Sequence, residues 1–331
     1  MLDRRGGETV KSSFFNAFRQ SHEPYSVQVF RGFTPASHHV ALTIGNFDGV
    51  HRGHQAMLSR LVEAAEDLAL PPTVLTFDPH PREFFAPDSA PPRLSTLRDK
   101  LEMFAALGVA RVHIARFDAR LAGLTAPEFI DRVLVRALGA RWILVGEDFR
   151  FGRGRSGDLA LLRASGQTFS VEAMPTVTLG AQRISSSAIR EALGKGELER
   201  AAEMLGRPYA MSGHVAHGDK LGRSLGFPTA NVQLRHKPPL SGIFAVRVRG
   251  LSDVARIGAA SLGVRPTIKA GAQPLLEVFI FDFEQAIYGR RIRVEFLHKL
   301  RDEERFADLD ALTQQIRADV ALAREYFSTR N

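Results

Sequence analysis

Between Val40 and about Ala173, short runs of β-forming residues alternate with segments of helical period. In the helical segments apolar residues recur at intervals of three and four, which is the spacing of one helix face. Strands alternating with helices build a parallel sheet flanked by helices. The pattern therefore predicts an α/β domain whose candidate strands are Val40–Ile44, Thr73–Phe77, Arg111–Ala115 and Arg141–Gly146.

The pattern changes after Leu205. Gly206 follows a helical segment there, and Pro208 comes two residues after that glycine. This combination is a strong helix stop. The remaining short strands are separated by Gly/Pro-rich loops and predict a small antiparallel β-barrel. They are Tyr209–Val215, Ile243–Val248, Arg256–Leu262, Leu275–Phe281 and Arg291–Leu297. A closing helix carries an apolar stripe that we expect to pack on the barrel, formed by Leu309, Leu312, Ile316, Val320, Ala323 and Phe327.

The length of 331 residues exceeds the roughly 100 to 200 residues of one domain, so we expect two. The helix stop puts the first domain at residues 26–207 and the barrel domain at residues 208–331. Residues 1–25 show no period, and we expect a mobile extension without chemistry there.

Composition narrows the functional classes. Hydrophobic residues make up 44% and charged residues 24% of the chain, as in globular proteins, and neither a spanning segment nor a signal peptide is visible. The absence of cysteine excludes disulfides and a cysteine nucleophile and fits the cytoplasm. The net charge of +8 comes from scattered residues, which favours anionic small molecules over a nucleic acid or a membrane as partners.

The segment from Gly45 to His54 follows a strand and opens an amphipathic helix. Its glycines let the backbone approach a ligand, and the free N–H groups of a helix start attract phosphate. His51 and His54 are three residues apart, so both imidazoles can lie on one side of the first turn. They could donate hydrogen bonds to a triphosphate during nucleotidyl transfer. Taken alone, the two histidines are equally compatible with a simple helix cap.

Two further segments contribute to this first site. Asp148 follows the strand that ends at Gly146, at the sheet edge where ligands bind, and could hold a ribose or adenine. The run from Arg183 to Arg190 places serine hydroxyls at a helix start between two arginines, which is a second phosphate-binding arrangement. On its own, the run also fits a serine cap beside a surface arginine.

In the barrel domain, Gly213–Asn231 reads as a long loop rich in glycine and positive charge. It lacks the Walker A pattern, which argues against a P-loop fold as its host. Lys220 suits phosphate, and the oxygens of Thr229 and Asn231 suit Mg²⁺, which prefers oxygen ligands and bridges ATP phosphates. A capped turn after Pro228 remains an alternative.

The motifs of the first domain, in this order, resemble those of the nucleotidyltransferase superfamily. The run from Thr76 to Pro81 narrows the resemblance to the adenylyltransferase module of bifunctional enzymes. The chain resembles prokaryotic bifunctional riboflavin kinase/FAD synthetases over roughly residues 38–327. The likeness continues in the barrel through Gly242–Val246, Gly263–Thr267 and Tyr288-Gly289. It implies two activities, phosphorylation of riboflavin to FMN and adenylylation of FMN to FAD.

For the first domain, the resemblance implies a Rossmann-like fold that handles ATP and FMN. The residues it assigns to ATP are Gly45, Phe47, Asp48, His51, His54, Asp148, Arg183, Ser186, Ser187 and Arg190. Those it assigns to FMN are Phe77, Asp78, Pro79 and His80. Ser187 stands where threonine is frequent, a change that keeps the hydroxyl.

For the barrel domain, the resemblance implies a riboflavin kinase with Glu277 as the general base that takes the proton of the ribityl hydroxyl. Its ATP site comprises Gly218, Lys220, Gly222, Thr229 and Asn231, with Mg²⁺ at the last two. Phe279 departs from the histidine common in relatives, which puts a local contact in doubt. Apoproteins that use FAD or FMN are the macromolecules expected as transient recipients.

Three alternatives stay open at this point. His-x-Gly-His with a serine/arginine element also occurs in other adenylylating enzymes, including class I aminoacyl-tRNA synthetases, although the barrel motifs argue against these. A basic RNA-binding protein with a nucleotide sensor is the rival of another class. Only one of the two activities could also have been retained.

Overall fold

The computed structural model describes residues 27–33, 36, 38–218, 225–234, 236–265 and 273–330. The expected extension at residues 1–25 therefore lies outside the described residues. Within them, the first sheet is parallel and has the strand order β1-β4-β3-β2-β5-β6. Its strands are β1 (Gln28–Arg31), β2 (Val40–Ile44), β3 (Pro72–Asp78), β4 (Arg111–Arg116), β5 (Ala140–Gly146) and β6 (Ser170–Met174).

Helices connect these strands and cover both faces of the sheet. A π-helical stretch, Phe129–Ala137, continues directly from α5. A short hairpin of β7 (Thr178–Leu179) and β8 (Gln182–Arg183) precedes the last two helices of the domain. The helices are α1 (Arg52–Asp67), α2 (Pro81–Phe85), α3 (Leu97–Ala106), α4 (Ala119–Gly123), α5 (Ala126–Glu128), α6 (Leu159–Ala164), α7 (Ser186–Gly194) and α8 (Leu198–Leu205).

The second half of the described chain closes into an antiparallel barrel in the order β10-β13-β12-β11-β14-β9. The helix α9 (Leu309–Ser328) packs on the outside of the barrel through Val320 and Ala323. The strands are β9 (Ala210–Ala216), β10 (Ala230–Gln233), β11 (Gly242–Arg249), β12 (Arg256–Arg265), β13 (Gln273–Ile280) and β14 (Arg291–Arg301). Both predicted architectures, the parallel α/β sheet and the small barrel with a terminal helix, are confirmed.

Gly206 ends α8 in the left-handed conformation at φ 74°, which explains the stop signal there. Two local predictions were wrong. The segment predicted as one loop, Gly213–Asn231, begins within β9 and ends within β10. Leu309 is 56% exposed rather than packed on the barrel, because it occupies the first turn of α9, beyond the part of the helix that contacts the strands.

The hydrophobic core does not stop at the end of the first sheet. Ile189 and Leu193 of α7 and Leu205 of α8 belong to the same buried cluster as the barrel residues Val246 and Phe296. The two helices therefore pack the α/β part against the barrel, and side chains at this junction reach the turn that follows β2.

Candidate active sites

A cleft of about 1210 Å³ opens at the carboxyl ends of the parallel strands, where ligands bind in doubly wound sheets. Its walls come from the turn after β2, the end of β3 with α2, the loop after β5 and the start of α7. The residues predicted for this site that line the cleft are Gly45, Phe47, Asp48, His54, Phe77, His80, Asp148, Ser186, Ser187 and Arg190. The fold thus brings together segments that are far apart in sequence.

His51 and His54 form a stacked pair at the start of α1. His51 is the N-cap residue, and its Nδ1 accepts a hydrogen bond from the His54 backbone N–H at 3.3 Å. The two rings lie 3.6 Å apart between centroids. Burial lowers the pKa of His51 to about 4 and lowers the pKa of His54 well below its ordinary value. Both imidazoles are consequently neutral at pH 7, so each ring has one N–H that can donate a hydrogen bond and carries no positive charge.

Asp48 is buried, and its carboxylate accepts hydrogen bonds from several parts of the cleft wall. It accepts hydrogen bonds from the backbone N–H groups of Leu94 and Ser95 at 3.0 to 3.1 Å and from the Arg190 guanidinium at 2.5 Å. The Ser186 hydroxyl donates to the Asp48 carbonyl oxygen at 2.9 Å. These contacts tie the turn after β2 to the start of α7, so the two predicted phosphate-binding segments form one surface.

Arg183 and Asp148 lie on the outer rim of the same site. They form an ion pair at 2.5 Å, with more than half of each side chain exposed. A pair in that position is accessible to solvent and is able to exchange its mutual contact for contacts with a ligand. Ser185 caps α7 by accepting from the Ala188 backbone N–H, which leaves the hydroxyls of Ser186 and Ser187 at the cleft.

The end of β3 forms the aromatic side of the cleft. Phe77 lines it, and His80 caps α2 with its side chain. Asp78 instead forms an ion pair with Arg93 at 3.2 Å, and Pro79 is not part of the lining. Phe85 and Phe117, whose rings are in edge contact, also line the cleft. Sequence reasoning missed both of them, although two adjacent phenylalanines at 84 and 85 in a polar segment were a visible signal.

Lys100 of α3 is a buried cation beneath the turn that sequence reasoning also missed. Its Nζ donates to the Asn46 carbonyl oxygen at 3.1 Å, and burial lowers its pKa. Among the described residues, Asn46 Oδ1 and His54 Nδ1 are buried polar atoms without a hydrogen-bond partner. Buried polar atoms are normally paired, so unpaired atoms beside a cleft suggest a place for ligand contacts.

A second cavity of about 260 Å³ lies between the outer face of the barrel and α9. Thr229 and Glu277 line it, together with Phe279. The neighbours of Glu277 along β13, Leu276 and Val278, are fully buried inside the barrel. Because side chains alternate along a strand, Glu277 projects from the outer face toward the cavity.

Asn231 lies on β10 beside this cavity. Its register partners are Glu277 on β13 and Ala216 on β9. Within the described residues, its buried Oδ1 has no hydrogen-bond partner, and Gly218 packs so closely that a Cβ there would come within 2.4 Å of the Asn231 amide nitrogen. An unpaired amide oxygen near Thr229 fits a cation that prefers oxygen ligands. Lys220 and Gly222 lie outside the described residues.

The far wall of the cavity carries charged groups that sequence reasoning did not assign. Arg301 of β14 pairs with the buried carboxylate of Asp319 on α9 through two hydrogen bonds at 2.7 and 2.8 Å. Glu303 also lines the cavity, and burial raises its pKa. Their charges were visible in the sequence, but only the packing of α9 on the barrel brings them to Glu277.

Comparisons with known proteins match the two parts of the chain to two different families. A family model described as FAD synthetase matches residues 34–188, and one described as riboflavin kinase matches residues 205–327. The bifunctional riboflavin kinase/FMN adenylyltransferase of Escherichia coli strain K12 is 49% identical over 86% of this chain and 92% of its own. The protein of the same description from Haemophilus influenzae is 46% identical over 92% of this chain and 100% of its own.

Among solved structures, a macrolide-efflux protein from Streptococcus pneumoniae superposes with a TM-score of 0.76. It is 29% identical and the match covers 90% of this chain and 99% of that one. In the part of the chain that the structure describes, every helix is too short or too polar to cross a membrane.

Proposed function

The chain belongs to the family of bifunctional riboflavin kinase/FMN adenylyltransferases, and we propose that the cleft and the cavity are its two separate catalytic sites. Its reactions are the ATP-dependent phosphorylation of riboflavin to FMN and the transfer of an adenylyl group from ATP to FMN. The observation that carries the assignment is the stacked pair of neutral imidazoles at a helix start, of which His54 lines a large cleft. The domains then divide at residue 207, with adenylyl transfer before it and phosphorylation after it.

In adenylyl transfer, an FMN phosphate oxygen attacks the α-phosphorus of ATP, and pyrophosphate leaves. The protein has to hold the reactants in line and stabilise charge on the phosphoryl oxygens. His54 faces the cleft with His51 stacked behind it, so we assign His54 to a phosphate oxygen and His51 to its orientation. Gly45 and Phe47 contribute backbone groups to the proposed ATP site. The side chains of Ser186, Ser187 and Arg190 approach ATP from the opposite wall of the cleft.

Asp48 has a different role from direct contact with ATP. Its carboxylate is already occupied by two backbone N–H groups and by Arg190, so it serves to keep Arg190 in place. Arg183 and Asp148, on the rim, are available for the ribose, the adenine or a terminal phosphate. The flavin ring is assigned to the aromatic side of the cleft, between Phe77 and Phe85, with His80 near its phosphate.

In the kinase site, Glu277 takes the proton of the ribityl 5′-hydroxyl as the oxygen attacks the γ-phosphorus of ATP, and the bond from that phosphorus to the bridging oxygen breaks to release ADP. The cavity between the barrel and α9 receives the apolar part of riboflavin, since Phe227, Phe279 and Phe306 line it. Phe279 contributes an apolar ring to this wall. Lys220 and Gly222 complete the proposed ATP site together with Gly218.

Mg²⁺ is the proposed cofactor of the kinase site. Thr229 and Asn231 would hold it through their side-chain oxygens, and the unpaired Oδ1 of Asn231 supports this choice. When bound, the ion would neutralise charge on the ATP phosphates. We further propose a cytoplasmic location, apoproteins as recipients of the product flavins, and no nucleic-acid partner.

The test uses the purified chain with riboflavin, ATP and Mg²⁺, followed by chromatographic separation of riboflavin, FMN and FAD, and repeats the run with FMN. FAD from both starting flavins is the expected result. FMN as the final product from riboflavin would leave only the kinase, whereas FAD from FMN alone would leave only the transferase. Absence of any new flavin would reject both sites.

A further inference from the structure

The turn that leads into His51 has an unfavourable backbone conformation. Gly49 and Val50 have φ values of 81° and 40°. Glycine adopts positive φ freely, but for a β-branched residue such as Val50 the conformation is an outlier. Residues of this kind persist only where surrounding contacts hold them, and they concentrate at functional sites. Contacts that hold this turn therefore determine where the His51 and His54 rings lie.

Arg207 supplies such contacts from the junction between the two domains. Its guanidinium donates to the Gly49 carbonyl oxygen at 2.7 Å and to the Val50 carbonyl oxygen at 3.1 Å. It also donates to the Leu205 carbonyl oxygen at 3.1 Å. Leu205 is the last residue of α8, and a cation is favourable at the carboxyl end of a helix. The turn is thereby tied to a residue 157 positions away along the chain.

Gln55 of α1 gives the turn a second support. Its side-chain amide donates to the carbonyl oxygens of Val50 and Leu205, both at 2.8 Å. Val50 therefore keeps one donor if Arg207 is removed. For the Gly49 carbonyl oxygen, the described contact is the one from Arg207.

We infer that Arg207 is a positioning residue for adenylyl transfer, fixing the turn that carries His51 and His54 from the segment joining the two domains. The inference rests on the proposed function of the cleft. Arg207 is absent from the cleft lining, so it acts through the turn rather than on the substrate. Because it precedes the barrel immediately, the transferase site depends on a residue beyond the region 34–188 that the FAD synthetase model matches.

A role limited to stability would predict a different result from a role in positioning. The charged groups that act on His51 are Asp48, which raises its pKa, and Arg183 and Arg207, which lower it, while burial is the largest cause of the lowering. Removing the charge of Arg207 should raise the pKa of His51. That rise would show that the Arg207 charge acts on His51, whereas kcat per folded molecule separates the two roles, because loss of stability alone would leave it unchanged.

The experiment compares Arg207→Gln and Arg207→Lys in the full chain. For Arg207→Gln we expect kcat for FMN to FAD to fall roughly 10- to 100-fold, the range expected when catalytic groups are displaced by about 1 Å. The KM for ATP should change little, and riboflavin phosphorylation should stay at the wild-type rate. Arg207→Lys keeps the charge and part of the hydrogen bonding, so it should restore part of the rate and a wild-type pKa of His51, measured by NMR.

Arg291→Gln is the matched control, because Arg291 also joins the barrel to α3, through Asp99 and Glu102 at 2.7 and 2.9 Å, without touching the turn. It should keep the wild-type rate of adenylyl transfer. Equal kcat in Arg207→Gln and wild type, or an equal loss in Arg207→Gln and Arg291→Gln, would overturn the inference. If Arg207→Gln does not fold, the kcat of Arg207→Lys for adenylyl transfer is compared with those of the wild type and Arg291→Gln instead. The proposed function of the cleft has a different test: it would be contradicted if His54→Ala left the rate of adenylyl transfer unchanged.

Discussion

Asn231 on β10 lies directly opposite Glu277 on β13 in the antiparallel register of the barrel. Side chains of directly opposed residues have Cβ atoms roughly 4.5 to 5.5 Å apart. The proposed metal ligand and the proposed base therefore stand side by side on one face. This arrangement belongs entirely to the barrel, while the stacked histidines belong to the α/β part.

Glu277→Gln should abolish formation of FMN from riboflavin, because the amide is nearly isosteric but cannot accept the hydroxyl proton. Adenylylation of added FMN should continue at the wild-type rate, since the two sites are built from different elements. The measurement is the flavin separation described above, with riboflavin or FMN as the substrate. Loss of both reactions in a folded protein would contradict separate sites.

His54→Ala tests the other reaction, adenylyl transfer. It removes the imidazole that faces the cleft, and we expect adenylyl transfer to fall by roughly 100-fold or more, as when a donor to a developing charge is removed. Riboflavin phosphorylation should persist. The variant therefore accumulates FMN from riboflavin, and continued synthesis of FAD at the wild-type rate would show that His54 has no part in the reaction.

Asn231→Ala should raise the Mg²⁺ concentration needed for half-maximal kinase activity, because it removes an amide oxygen that makes no hydrogen bond within the described residues. The adenylyl transfer rate should not change. Gln233→Ala is the control, since Gln233 is an exposed residue on the same face of β10. An identical Mg²⁺ dependence in Asn231→Ala and wild type would place the ion elsewhere.

The parts of the two sites that the sequence could reveal are local ones. The turn after β2 and the serine cap of α7 each combine glycine or hydroxyl residues with a helix start within a few positions, so their pattern is visible without a fold. By contrast, the bond from Arg190 to Asp48 joins residues 142 positions apart. Only the packing of α7 beside the turn creates it.

Short and irregular elements also escaped prediction, for physical reasons. β10 has four residues and follows a loop with glycine and proline, so its alternation is too brief to detect. β1, also of four residues, is an edge strand whose side chains are mostly exposed, so it lacks the apolar run of the inner strands. Lys100 looked like an ordinary helix cation because its burial depends on the position of α3 beside the turn after β2.

The buried His51 should make the α/β domain less stable in mild acid. Its pKa is about 4 in the folded protein against 6.5 in the unfolded chain. Between these values the unfolded state binds more protons, so the free energy of unfolding decreases as the pH falls. We expect His51 to account for a loss on the order of 2 kcal/mol between pH 7 and pH 5. Trp142 on β5, the one tryptophan of the chain, reports unfolding of this domain.

His51→Asn tests this loss, because asparagine keeps a good N-cap and does not titrate. Between pH 7 and pH 5, the free energy of unfolding of His51→Asn should fall by about 2 kcal/mol less than that of the wild type. Some decline should remain, since burial also lowers the pKa of His54, His80 and His113. His214→Asn, an exposed change in the barrel, should keep the full decline. An unchanged slope in His51→Asn would contradict the buried, neutral state of this ring.

Two Asp–Arg pairs with the same separation of 2.5 Å should differ greatly in their effect on stability, because their exposure differs. The side chains of Asp48 and Arg190 are 7% and 14% exposed, whereas those of Asp148 and Arg183 are 64% and 54% exposed. Asp48→Ala leaves a buried guanidinium and two backbone N–H groups without their acceptor, which should cost about 3 to 5 kcal/mol. Asp148→Ala, the matched control, should cost about 0 to 1 kcal/mol. Urea unfolding followed by Trp142 fluorescence measures both, and equal losses would show that Asp48 does not anchor the cleft.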